Sequence, residues 1–457
     1  MNISARKARK DLSADALFRL VRSGFDALPD SRASPAGIPL GDALMSAFAM
    51  FSLKDPSLLA FDQRRQNPND NFRTVYGIQR VPCDTQMRAI LDPVDPEVLR
   101  PLFGNVFRRL QRGKVLEAFV YHDGHYLLSL DGTAYFSSGK IHCSACLEKR
   151  HRGGGITYSH QVLGASLVHP DLKEVIPLAP EPIINPDGHT PDGDTKQDCE
   201  RNATRRWLQQ FRRDHPHLPV IVVEDSLSAN APHLDDLRAA GMHYIIGVKP
   251  GSHAFLFQHL QDADEAGQTQ TLTLEDPATG ILHHFRFLNG VPLNASHPDY
   301  LVNVLEYWEI HPTKIVKKVE RVGQVLHFSW ITDFVLVPNL VNTVMRGGRA
   351  RWKIENETFN TLKNQGYNLE HNYGHGTQNL SVVLMMLMML AFLVDQTQQR
   401  CCPLFQAAWK KRGHNKRSLW EEMRNLFRSF LFDSMRELYE AIVSGVPAQK
   451  LVLRNTS

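Results

Sequence analysis

Pro219-Val-Ile-Val-Val-Glu-Asp225 decides the fold. Four β-branched apolar residues in a row, with no polar alternation, describe a strand buried on both faces, the pattern of parallel strands in α/β sheets. An acid closes the run, and ligands of open α/β sheets gather at the carboxyl ends of strands. Downstream, Pro232 to Ala240 predicts a short helix and His243-Tyr-Ile-Ile-Gly-Val-Lys249 another buried strand. Upstream, Asp198 to Arg213 carries Ala203, Trp207 and Phe211 at helical spacing. Before it, Tyr126-Leu-Leu-Ser-Leu-Asp131, Thr157 to Val168 and Glu174-Val-Ile-Pro-Leu178 predict three strands in succession. Strand-strand-strand-helix-strand-helix-strand is the order of a mixed α/β sheet.

Either side of this block the pattern changes. Residues 1–118 read as helical, with Leu44, Phe48 and Phe51 on one helix face and Val98, Leu102, Val106 and Leu110 on another. Between them Asp62-Gln-Arg-Arg-Gln-Asn-Pro-Asn-Asp-Asn-Phe-Arg73 combines turn formers with three arginines and leads to Asp84, a candidate helix cap, as in a small DNA-contacting module. The block 119–251 is the first part of a core, and 252–337 alternates, as in Leu301 to Ile310 and Val325 to Ile331, with no strong helix signal. That stretch reads as a β-rich insertion. Helices resume in 338–400, and 401–457 is helical and basic.

The 457 residues are 42% apolar and 22% charged, ordinary globular usage that excludes wholesale disorder and a fibrous repeat. Net charge is only +4, but basic residues cluster at Arg6, Lys7, Arg9 and Lys10, at Lys314, Lys317, Lys318 and Arg321, and at Lys410, Lys411, Arg412, Lys416 and Arg417. Phosphate neutralisation is local, so such clusters matter more than the total, although each is also what a solvated face looks like. Six cysteines, with no basic start followed by an apolar segment, argue against a secreted disulfide framework and for a cytoplasmic protein. The apolar run Ser381 to Val394 is shorter than a membrane span and predicts a buried core helix.

Asp131, in Ser-Leu-Asp-Gly-Thr, and Asp225 stand at equivalent strand ends. On neighbouring strands their carboxylates would converge, which is tolerable only with a proton or a cation between them. Hard oxygen ligands suit Mg2+ or Mn2+. The alternative is local: a turn at Asp131 and a cap at Asp225. A third acid comes from Arg349-Ala-Arg-Trp-Lys-Ile-Glu-Asn-Glu-Thr-Phe-Asn-Thr-Leu-Lys363, read as one helix. With Trp352 at zero on a wheel of ~100° per residue, Phe359 falls at about −20°, Glu355 at about −60° and Glu357 near ~140°. Glu355 is therefore expected on the buried stripe, with Arg351 one turn before it as an ion-pair partner.

Taken together, Leu130-Asp-Gly-Thr133, Val223-Glu-Asp-Ser226, the β-rich stretch before the third acid and Arg351-Trp-Lys-Ile-Glu-Asn356 resemble the DDE transposases of bacterial insertion sequences, in the group whose catalytic helix carries Tyr, Arg, Glu and Lys. The resemblance covers roughly 120–395. It implies an RNase H-like core flanked by helical regions, with Asp131, Asp225 and Glu355 binding two divalent ions for DNA strand cleavage and strand transfer at the ends of a mobile element. It implies DNA as partner, a homodimer that brings two ends together, no membrane, and residence near the bacterial nucleoid. Arg351 would support Glu355, and Lys363 would contact DNA. The family's tyrosine position is Gly348 here, and Lys363 lies eight residues after Glu355 rather than seven. Two other readings stay open: an RNase H-like nuclease that cuts without joining, and a non-catalytic, zinc-stabilised DNA-binding protein.

A second metal site is suggested by Cys143-x2-Cys146-x4-His151, the spacing of three ligands of a zinc knuckle, with Ile156 at the fourth position. Cys199 or His160 would complete a structural Zn2+ site. Otherwise the thiols are incidental in a reducing compartment. His371 and His375 fall in a glycine-bearing stretch that reads as a loop with a structural or DNA-contacting role.

Overall fold

The computed structural model describes residues 9–446 other than 10, 31, 33–36, 67–69, 186–196, 313, 317, 318 and 322. Arg6, Lys7, Lys10, Lys317 and Lys318 of the basic clusters, and the side chains of Lys314 and Arg321, lie outside the described residues.

Helices α1 (Ala14–Asp26), α2 (Leu40–Ser52), α3 (Leu58–Arg65), α4 (Asn71–Tyr76), α5 (Asp84–Leu91) and α6 (Arg100–Arg112) come first. Every residue of helix α2 is buried, including Asp42, which Arg22 pairs at 2.6 Å, as befits a mostly apolar helix enclosed by other helices. The arginines after it are engaged locally: Arg64 pairs with buried Asp55 at 2.6 Å, Arg65 with Asp62 at 2.9 Å and Arg73 with Asp70 at 2.9 Å.

The sheet begins with β1 (Val120–His122), β2 (His125–Ser138), β3 (Leu147–Arg150), β4 (Ile156–Val168), β5 (Ile176–Pro177) and β6 (Glu181–Ile183). Then come α7 (Glu200–Asp214), β7 (Val220–Glu224), α8 (Ala231–Ala239) and β8 (His243–Gly247). Strand β7 pairs in parallel with β2 on one side and β8 on the other, and all five of its residues are buried, which is why it reads as an unbroken apolar run. On the far side of β2, β4 runs antiparallel.

Helix α9 (Ala254–Glu265) follows, in a stretch whose residue pattern carries no strong helix signal. It buries only Leu256 and Leu260, one turn apart, too thin a stripe to stand out in the sequence. Strands β9 (Gln270–Asp276), β10 (Ile281–Asn294), β11 (His297–Ile310), β12 (Lys314–Val316), β13 (Val319–Arg321) and β14 (Val325–Thr332) come next. Strand β14 docks antiparallel on β8, so β14, β11, β10 and β9 continue the same sheet, in the order β3-β4-β2-β7-β8-β14-β11-β10-β9. The result is a 12-stranded mixed sheet with helical flanks, an RNase H-like α/β architecture.

The chain ends in α10 (Val341–Ala350), a π-helical turn (Ile354–Phe359), α11 (Asn360–Asn364), α12 (Leu380–Cys401), α13 (Pro403–Lys411), α14 (Lys416–Ser429) and α15 (Met435–Ser444). At 22 residues, α12 exceeds the apolar run from which it was predicted and reaches the length of a membrane span, yet 94% of its most apolar 18-residue window is buried inside the protein. Its carboxyl half binds the flanks together. Asp395 receives Lys54 Nζ at 2.6 Å and the Tyr367 hydroxyl at 2.5 Å. The Lys54 ammonium, wholly buried, also lies 4.4 Å from the Tyr367 ring centroid and 4.3 Å from that of Trp420. Asn71 donates to the Phe427 and Phe430 carbonyls, each at 2.7 Å, joining the two helical regions a second time.

Candidate active site

Ser129 opposite Val223 is the last pair of the parallel β2–β7 ladder, so its register carries Asp131 and Asp225 to one end of adjacent strands. Both aspartates also do local work: Asp131 Oδ1 accepts the Gly132 N–H and Asp225 Oδ1 the Leu227 N–H, each at 2.9 Å. One carboxylate oxygen of each is left free of those bonds.

The segment bearing Glu355 departs from expectation. Trp352 is 51% exposed and the Glu355 side chain 48%, so neither lies on a buried stripe. Ile354, Thr358, Phe359, Thr361 and Leu362 are buried instead. The physical reason is the π-helical turn at Ile354–Phe359, where the wider turn cancels a wheel drawn at the α-helical angle. Three contacts fasten this turn to the sheet. The Ser129 hydroxyl donates to the Arg351 carbonyl at 3.1 Å, Ser166 and Thr358 hydroxyls lie 3.3 Å apart, and the Phe359 ring rests on Gly164, where a Cβ would come within 2.8 Å of it. Gly164 is the β4 partner of Asp131, so the turn docks directly beside that acid.

Arg351 Nη1 stands 2.7 Å from Glu355 Oε1 and 3.5 Å from Asp131 Oδ2, joining the helical acid to the strand acid. Glu357 does not share Arg351; burial lowers the proton affinity of Lys416 on α14, and Glu357 is among the carboxylates that oppose this. Burial pushes the Asp131 carboxyl up to about 7; Arg351 opposes the shift, while Glu355, Glu200 and Asp225 add to it. A carboxyl raised this far among other carboxylates is a site short of positive charge.

Glu200, at the start of α7, is an acid the sequence reading missed. Burial raises its affinity for a proton, Asp225 and Glu224 add to this, and the Gly132 amide opposes it. It reaches the site because Gly132 has no side chain: a Cβ there would lie 2.5 Å from Glu200 Oε2. An acid at a helix start facing a glycine after a strand-end aspartate is a signal only once the strand order is known. The donor set, carboxylates with one guanidinium, fits hard divalent cations such as Mg2+ or Mn2+. Beside Asp225 opens a cleft of about 340 Å³ lined by Lys249, Phe328, Trp330, Arg349, Arg351 and Trp352 among others.

Lys363 is held apart from the acids, with Nζ 2.8 Å from Glu370. At Gly348 the indole of Trp330 fills the space of a side chain, since a Cβ would come within 2.3 Å of its Nε1. The predicted zinc ligands separate. His151 is exposed and bonds Thr157 at 2.8 Å, and Cys199 is exposed at the start of α7. Cys143 and Cys146 meet His160, one of the two completing candidates, and His375, which lies in a loop as expected and outside the Cys-x2-Cys-x4-His spacing. Backbone geometry explains the exchange: Gly153 to Gly155 turn His151 outward at the tip of the β3–β4 hairpin, whereas His160 sits inside β4.

Comparison with known proteins gives a match of residues 193–394 to the family model of the transposase DDE domain. The matched span contains Asp225 and Glu355 and starts beyond Asp131. A search of curated proteins finds no match.

Proposed function

We propose that this chain, a DDE transposase, cuts DNA at the ends of an insertion sequence and joins the freed 3′ ends to target DNA. The observation that carries the reading is the convergence of Asp131, Asp225 and Glu355 at one end of the β2–β7 pair, with Asp131 pushed up to about 7 by burial and its acidic neighbours.

Asp131, Asp225 and Glu355 would hold Mg2+ or Mn2+, which when bound would stabilise the charge developing on the attacking and leaving oxygens of a phosphodiester. Arg351 orients Glu355 through its 2.7 Å contact and keeps Asp131 within reach of ionisation. Glu200 adds a fourth carboxylate on the side of Asp225. Lys249, in the cleft wall beside Asp225, would meet DNA phosphates, and Arg349, paired with Glu309, would do so only by leaving that carboxylate. Lys363 keeps a phosphate-contacting role only if it leaves Glu370. Residues 119–251 and 338–400 would act as the catalytic core around the strands of 252–337, with the described parts of 1–118 and 401–457, which are mainly helical, as flanks that would add DNA contacts. Two copies pair to hold two element ends in the bacterial cytoplasm.

The test is incubation of the full chain and Mg2+ with a labelled duplex carrying the DNA that flanks its own gene, plus a supercoiled target plasmid. The reading expects cleavage at the element end and labelled target joints, both abolished by Asp225→Asn while DNA binding persists. Cleavage without joints identifies a nuclease; binding without cleavage, indifferent to Mg2+, identifies a DNA-binding protein.

A further inference from the structure

Four side chains from three separate parts of the chain meet away from the acids. Cys143 and Cys146 lie in the connection between β2 and β3, His160 in β4, and His375 in the segment between α11 and α12. Cys146, His160 and His375 are buried, at 2%, 1% and 7% exposure. The two Sγ atoms are 3.8 Å apart; His160 Nε2 is 3.5 Å from Cys143 Sγ and 3.4 Å from Cys146 Sγ; His375 Nε2 is 3.5 Å from Cys146 Sγ. All four ligand atoms lie within 4.8 Å of one another.

These distances are the edges of a particular tetrahedron. Zinc bonds of about 2.3 Å to sulfur and about 2.0–2.1 Å to nitrogen require sulfur–sulfur edges of about 3.8 Å and sulfur–nitrogen edges of about 3.5 Å. A disulfide is a different geometry, since it brings sulfurs to about 2.05 Å. Thiols are weak hydrogen-bond partners, so they compensate poorly for burying two imidazoles. Both rings also bury Nδ1 with no hydrogen-bond partner among the described residues, which leaves Nε2 as each ring's polar contact. The rings are held in place by aromatic neighbours: Phe136 lies 4.3 Å from His375 and Tyr135 5.9 Å from His160, centroid to centroid.

We propose that Cys143, Cys146, His160 and His375 bind one structural Zn2+. With four protein ligands the coordination sphere is closed to substrate, so the ion serves the fold and not the chemistry. It ties the β2–β3 connection and β4 to the segment between the Glu355-bearing turn and the core helix α12, fixing the exit of that turn against the sheet that carries Asp131. The site stands independently of the DNA-cutting reading.

The test is metal analysis of the full chain, expressed in zinc-supplemented medium and purified without a metal-affinity step, joined to zinc K-edge X-ray absorption. The expected result is one zinc per chain in a shell of two sulfurs at about 2.3 Å and two nitrogens at about 2.0–2.1 Å. His375→Ala and Cys143→Ser lose the metal, whereas His151→Ala and Cys199→Ser keep it. His375→Cys preserves a ligand and shifts the shell to three sulfurs and one nitrogen, which keeps the assignment testable if His375→Ala does not fold. A metal-free wild type, an oxygen-rich shell, or zinc lost from His151→Ala or Cys199→Ser but kept in His375→Ala overturns the proposal.

Discussion

Lowering the pH should release the divalent ion from the acidic site, and the size of the effect follows from Asp131. Burial and the nearby carboxylates raise this group to about 7 against an ordinary value of 3.8. It is then about nine-tenths protonated at pH 6 and about one-tenth at pH 8. A carboxyl must lose its proton to ligate a metal, so the apparent affinity for Mn2+ should be about tenfold weaker at pH 6 than at pH 8. The sign for the metal-free protein is opposite to that of a salt-bridged aspartate. Because the folded state holds a proton that the unfolded state has released, this group's contribution to stability is lost as pH rises from about 4 through about 7. Calorimetric titration of the full chain with Mn2+ between pH 6 and pH 8 measures the first effect. Arg351→Met removes the charge that opposes the shift, so the same transition should move to higher pH. An affinity flat across this range, or an equal pH dependence in Asp131→Asn, refutes the reasoning.

Other expectations follow from the packing. Asp395→Ala strands the wholly buried Lys54 ammonium, a loss of about 3–5 kcal/mol. With an unfolding entropy of about 2.1 cal/mol/K per residue, a global transition of 457 residues should then melt about 3–5 °C lower by circular dichroism. Replacing Lys54 and Asp395 together by Met and Leu should recover most of that loss; an unchanged melting point in the single variant shows that the pair is not needed. Gly348→Tyr, which restores the family's tyrosine, should destabilise the chain because Trp330 occupies the space, at about 1–3 kcal/mol for overpacking. Trp330→Ala should relieve part of that loss in denaturant melts. Gly132→Val should push Glu200 from the acidic site and, with Glu200→Gln, weaken Mn2+ binding in the same calorimetric assay.

What the sequence made legible was what burial writes into local pattern. Val220 to Glu224 is enclosed by two parallel neighbours, so its residue types betray its position, and Asp225 follows at the strand's carboxyl end. Core helix α12 is visible for the same reason. Hidden from the sequence were features that depend on a broken period or a distant approach. The turn at Ile354–Phe359 leaves Trp352 and Glu355 exposed because its hydrogen bonding is π-helical, and no α-helical wheel can register that change. Glu200 joins the acids only across a bare Gly132. His375 reaches Cys146 across 229 residues, a pairing no local spacing rule can register. Helix α9 escaped notice because two buried leucines leave almost no amphipathic trace.

Cleavage of a labelled element end in Mg2+ by Glu355→Gln and Glu357→Gln, side by side, tests whether Glu355 rather than Glu357 completes the acidic site. Glu355 shares Arg351 with Asp131, and Glu357 does not. A loss on the order of 100-fold or more is expected for Glu355→Gln, with DNA binding retained, and near wild-type cleavage for Glu357→Gln. Wild-type cleavage by Glu355→Gln, or equal inactivity of the two variants, would contradict it.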